Sequence, residues 1–181
     1  MRHTVCILLG SALLACGAWG AGKTPIAKSC DGELSNVEKE VVSLAEAMPA
    51  DKYNFAPTSG EFKGVRTFGS QLKHLAAVIY ISAAAAKPEK PPVDTGGESG
   101  PDSVKTKEQI VQFVKDAFAY AHKVTATLTE ANMLDSLKSP FGGPDEARIG
   151  LMNATVWHSF DHYGQMVVYA RMNGVVPPAS R

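Results

Sequence analysis

The sequence is poor in the features that usually announce a function. Cysteine is scarce, with three in 181 residues. Cys6 and Cys16 fall within the first twenty positions, so Cys30 is the one thiol certain to stay with the folded domain. That excludes a disulfide framework, and Cys30 lacks any neighbouring signature of a catalytic thiol. Charge of either sign is not in excess, since Lys plus Arg and Asp plus Glu number 18 each. No global field collects polyanions and no stretch interleaves basic with aromatic residues, so nucleic acid is not an expected partner. After the N-terminus there is no apolar run long enough for a membrane span.

The N-terminus is the exception in hydrophobicity. Arg2 and His3 precede the apolar stretch Val5 to Ala15, and small residues follow. This is the layout of a secretory leader, too short to span a bilayer comfortably. Two processing routes fit. One is a signal peptide of residues 1–20 cut after Ala18-Trp19-Gly20; the other is a lipoprotein signal of residues 1–15, read from Leu13-Leu14-Ala15-Cys16, which would acylate Cys16. Either route places the domain outside the cytoplasm, in the periplasm or beyond, or on a lipid anchor of the envelope.

What is present is helical patterning. With 45% apolar residues, the chain can bury one core, and one all-α domain from about residue 31 is expected. A first helix is predicted over about Ser35 to Met48, with Ser35 and Glu38 as a capping box and Pro49 as the stop. A second runs from about Thr67 to Ala86, apolar on most faces. A third opens at Thr106 with capping-box spacing to Gln109 and reaches about Leu128. The fourth follows Gly143-Pro144 and ends near Asn173, closed by Gly174 and Pro177-Pro178. Between the second and third lie residues 87–105, rich in Pro, Gly and charge, which read as a flexible linker. Extended, it would reach on the order of 60 Å, about twice a 20-residue helix. It therefore permits either a lengthwise crossover or a plain hairpin with an insertion.

Chemistry concentrates on the fourth helix. A strict heptad stripe from Leu151 passes through Thr155, His158, His162, Gln165 and Tyr169. Histidines four apart project from successive turns of one face and can reach one ion. The glutamate of an H-E-x-x-H protease is missing, since Ser159 stands there, and no C-x-x-C-H haem motif occurs. A third ligand must come from elsewhere, and His3 departs with the leader. His74 lies with Gln71 as a polar pair on the otherwise apolar second helix, whereas His122, beside Lys123 near the end of the third, suits a solvated role or a helix-end charge.

Here the residues resemble a known family. The segment Met48-Pro49-Ala50-Asp51-Lys52-Tyr53-Asn54-Phe55-Ala56-Pro57 with Phe68, Leu72 and His74-Leu75-Ala76, and the ending His158-x3-His162-Tyr163-Gly164-Gln165 with Tyr169, Arg171, Gly174, Pro177 and Pro178, are similar to DinB/YfiT-like proteins. The likeness covers roughly Leu34 to Ser180. It implies a four-helix bundle of up-down-down-up order with a long crossover between helices two and three. It also implies one divalent metal ion, nickel or zinc, on His74, His158 and His162. An export signal departs from the family's commonly cytoplasmic members, and it argues against borrowing the bacillithiol or mycothiol cofactor of its transferases.

Three neutral imidazoles would leave such an ion its full charge and an open position, so a metal-dependent hydrolase or transferase is the first expectation. A noncatalytic, stress-associated envelope protein with a structural metal is the alternative. Gln165 is expected to hydrogen-bond a ligand imidazole as a supporting residue, and Asp161 is turned too far around the helix to act as a base. The substrate is a small molecule of unknown identity. A homodimer is left open, and membrane contact is expected only through a lipid on Cys16.

Overall fold

The computed structural model describes residues 23–181. The expected leader of residues 1–20, with its candidate processing sites at Cys16 and Gly20, lies outside them. Four helices carry the architecture: α1 Pro25–Ala47, α2 Phe68–Ala86, α3 Lys107–Thr125 and α4 Arg148–Met172. A two-residue antiparallel ladder, β1 Ser136–Leu137 with β2 Glu146–Ala147, pins the loop before α4. No helix among the described residues is long and apolar enough to cross a membrane.

Helix α1 starts ten residues before the expected position. Thr24 is its N-cap, accepting from the Ala27 amide, and Pro25 occupies the first turn, where its missing N–H costs nothing. Ser35 is mid-helix, its hydroxyl turned back to the Asp31 carbonyl, so the Ser35–Glu38 pair is not a cap. The longer helix adds Ala27 to the buried stripe of Leu34, Val37, Val41 and Leu44. It ends at Met48, held extended because Pro49 follows. Tyr53 then turns the chain toward α2, its hydroxyl donating to the Ala45 carbonyl at 2.7 Å and its ring meeting Phe68 edge-on. Gly69 admits this approach: a Cβ there would stand 3.1 Å from the Tyr53 ring and 3.3 Å from Ile110.

Named contacts fix the helix directions. Gly69 of α2 faces Ile110 at the start of α3, while Tyr80 meets Phe113 and Tyr120 farther along, so α2 and α3 run parallel. Glu46 at the end of α1 meets Lys107 and Lys115 of α3, and Asp31 near its start meets His122, so those two are antiparallel. Arg148 at the start of α4 donates to the Ala86 carbonyl that ends α2, while His162 reaches back to Gln71. This is the up-down-down-up bundle. Its core is one cluster drawn from all four helices, with Phe68, Phe118, Leu72, Leu75, Ile79 and Met166 among its fully buried side chains.

Residues 87–105 make the lengthwise crossover. They pass back along α2 until Gly100, at φ 79°, lies against Lys73, where a Cβ would come within 2.7 Å of the lysine Cβ. Only glycine fits that combination of contact and backbone. The chain then enters α3 through the capping box Thr106–Gln109, both halves of which are present as expected. Thr106→Ala removes an acceptor from the first turn and is expected to cost about 1 kcal/mol, or roughly 2–4 °C in thermal unfolding. A melting temperature unchanged within error would show that this cap adds nothing.

Candidate metal centre

Two antiparallel helices bring the predicted histidines together. His74 comes from the middle of α2, and His158 and His162 from successive turns of α4. Ring centroids lie 5.1 Å apart for His74 and His158, 4.8 Å for His74 and His162, and 4.5 Å for His158 and His162. One ligand nitrogen from each can be chosen so that all three lie within 4.8 Å of one another. His74 and His162 are buried and His158 is half-buried.

Hydrogen bonds orient two of the rings. Nδ1 of His74 donates to the backbone carbonyl of Glu98 at 2.5 Å, and Nδ1 of His162 donates to Oε1 of Gln71 at 2.7 Å. Each bond places the proton on Nδ1 and leaves Nε2 as a free lone pair. Nε2 of His158 is buried and finds no hydrogen-bond partner among the described residues. A buried ring nitrogen without a partner is unfavourable, whether or not it carries the proton, unless something else fills the space. Charge tells the same story: burial first, then the neighbouring imidazoles, push His158 and His162 down to about 4. His74 is also lowered, chiefly by burial and against the opposing pull of the Glu98 carbonyl. All three rings are therefore neutral at pH 7, the state in which imidazole ligates metal.

A model of the DinB superfamily matches residues 33–166. The chain belongs to that superfamily. Solved structures agree at the level of fold. A DinB-like protein from Bacillus cereus superposes with a TM-score of 0.63 at 14% identity, covering 83% of this chain and 95% of its own. The DinB-like protein YjoA of Bacillus subtilis gives 0.63 at 15%, covering 81% and 92%. A conserved protein from Enterococcus faecalis gives 0.65 at 13%, covering 82% and 97%. No curated protein matches the chain. Membership of that superfamily and the three-histidine cluster of this chain are compatible with metal binding.

Other expectations fare differently. Gln165 does not support a ligand imidazole: it is exposed and its amide donates to Asp161 at 3.1 Å. The buried line of α4 runs instead through Thr155, Ser159, His162, Met166 and Tyr169. The supporting amide is Gln71, which the sequence did mark as the polar partner of His74. Glu98 had no signal, because it acts through a backbone carbonyl that any residue could supply. His122, in the last turn of α3 as expected, is half-buried and apart from the three-histidine cluster: its Nδ1 lies 2.7 Å from Asp31 and its Nε2 3.0 Å from Glu38, tying α3 to α1. Cys30 packs beside the core with its thiol pushed up, mainly by burial, the opposite of an activated nucleophile.

Proposed function

We propose that His74, His158 and His162 hold one divalent ion, nickel or zinc, and that the chain is a metal-dependent hydrolase or transferase. The observation that carries this is the unpartnered, buried Nε2 of His158 beside two imidazoles whose Nδ1 protons are already committed. Such a donor set suits a borderline cation with an affinity for nitrogen. Bound there, the ion would supply Lewis-acid polarisation of a substrate atom. The protein's part is to keep the imidazoles neutral and oriented, through Gln71 and the Glu98 carbonyl, and to present a cavity that opens beside His158. That adjoining cavity favours catalysis over a purely structural ion joining α2 to α4. An exported setting belongs to the same proposal and rests on the leader pattern of residues 1–20.

The decisive measurement is elemental analysis of the full chain purified without an affinity tag. Wild type is expected to carry close to one equivalent of metal and His74→Ala to lose most of it. Equal, substoichiometric metal in both proteins would sink the assignment.

A further inference from the structure

The cavity beside His158 has a volume of about 310 Å³, at the small end of ligand sites. Its floor is aliphatic: Leu151 and Ala154 of α4 lie on the same face as His158, and Val78 of α2 faces them. From Leu151 to His158 that stripe is about 10 Å long at 1.5 Å per residue. Two aromatic rings form its sides. Phe141 comes from the loop between β1 and β2, and Trp157 stands edge-on to His158 at 5.7 Å with 62% of its surface exposed.

Charge in the lining has one sign. Glu98 and Glu146 both line the cavity, and no lysine or arginine does. Neither carboxylate has an ion-pair partner among the described residues. They also sit at different places. Glu98 meets His74 through its backbone carbonyl, and the Arg66 guanidinium, outside the lining, opposes the Glu98 charge at the histidines, whereas Glu146 lies on β2 before α4 begins.

An occupant of this space must satisfy both features. An anion would meet two carboxylates beside an apolar floor, and a neutral hydrocarbon would strip water from Glu146 without replacing it. A protonated amine on an apolar body does neither: its ammonium replaces the lost water with a charge-assisted hydrogen bond, and the aromatic faces add cation–π attraction.

Resting on the proposed metal-dependent reaction, we infer that the substrate is a small amphipathic amine, bound with its apolar body against Leu151, Ala154 and Trp157 and its cationic end at Glu146. Its reacting group then lies toward the histidines. The ammonium stays at the end of the cavity away from them.

The inference is tested by calorimetric titration of the metal-loaded full chain with three isosteric probes: cyclohexylmethylamine, cyclohexylmethanol and cyclohexanecarboxylate. The amine is expected to bind at least about tenfold more tightly than either of the others, corresponding to about 1.4 kcal/mol. In Glu146→Gln that preference is expected to shrink to within about threefold, and in Glu98→Gln to fall by less. Quenching of tryptophan emission by the amine is expected to be lost in Trp157→Phe, which locates the site. Carboxylate binding as tightly as amine, an amine preference untouched in both glutamine variants, or no amine binding at about 1000-fold excess over protein would each overturn the inference. Metal content of the same samples separates the two readings, because Glu146→Gln removes no ligand. Retained metal without amine preference defeats only the substrate class, while a chain without metal defeats the three-histidine centre.

Discussion

Replacing His158 by leucine is expected to raise the melting temperature of the metal-free protein while abolishing the rise that metal produces. With the metal removed, three neutral imidazoles face one another, and Nε2 of His158 has no hydrogen-bond partner among the described residues. A buried polar group left unsatisfied, donor or acceptor, costs about 1–3 kcal/mol. Leucine has similar bulk and nothing to satisfy. Part of the gain is offset by losing the edge contact with Trp157, so a rise of roughly 2–6 °C is expected for a domain of this size. In wild type, metal at a hundred times its dissociation constant contributes about 2.7 kcal/mol, or roughly 5–10 °C. The two proteins should therefore exchange order: leucine variant higher in chelator, wild type higher in excess nickel or zinc. An ordinary core histidine would predict a different result, a fall in both conditions and no metal response in either protein. Scanning calorimetry in the two buffers decides the matter, and a variant that falls in chelator and responds to metal like wild type would contradict the account.

The elements that could be read from sequence are those whose signal is local. Thr106 and Gln109 are three apart and cap their own helix, so their spacing contained the whole interaction. His158 and His162 are likewise neighbours on one helix. His74 is different: its pairing with them depends on α2 and α4 being antiparallel, which only the family resemblance supplied. Two errors have definite causes. The Ser35–Glu38 spacing occurs inside a helix as easily as at its start, and the stronger signal, Thr24 before Pro25, lay in the segment assigned to the leader region and its aftermath. Gln165 was placed by a strict heptad, whereas a straight helix drifts about 20° per heptad from that repeat. Two heptads beyond Leu151 the inward line has moved to Met166, and Gln165 is left in solvent. His122 lay beyond local reading altogether, because its carboxylate partners are Asp31 and Glu38, 91 and 84 residues away.

Acidity is expected to destabilise the metal-free protein well before its carboxylates titrate. His158 and His162 are lowered from 6.5 to about 4, by burial and then by each other and His74. Between those values the unfolded chain binds protons that the folded chain refuses. Stability therefore rises with pH across this window, is complete above about pH 7, and declines as pH falls toward 4. The two rings are mutually coupled and keep some access to solvent, so the loss for the pair is discounted to the order of 2 kcal/mol, or roughly 4–8 °C between pH 7 and pH 4.5. Asp31 acts in a separate range. Burial alone would raise it, but its bonds to Lys23 and His122 win and lower it, so its contribution persists above its unfolded value and is lost only in stronger acid. The metal-loaded protein should behave differently. Because the folded His158 and His162 are already neutral at pH 5.5, protons compete weakly for them there, and metal affinity is expected to fall less between pH 8 and pH 5 than it would at three ordinary imidazoles. Thermal melts of chelated wild type and His158→Leu at pH 7 and 4.5 test the first part, the variant showing the shallower decline. Competition titrations of metal across the same range test the second. A chelated wild type equally stable at both pH values, or a metal affinity that falls as steeply as at three ordinary imidazoles, would mean that these imidazoles are open to protons, and hence to water, in the folded state.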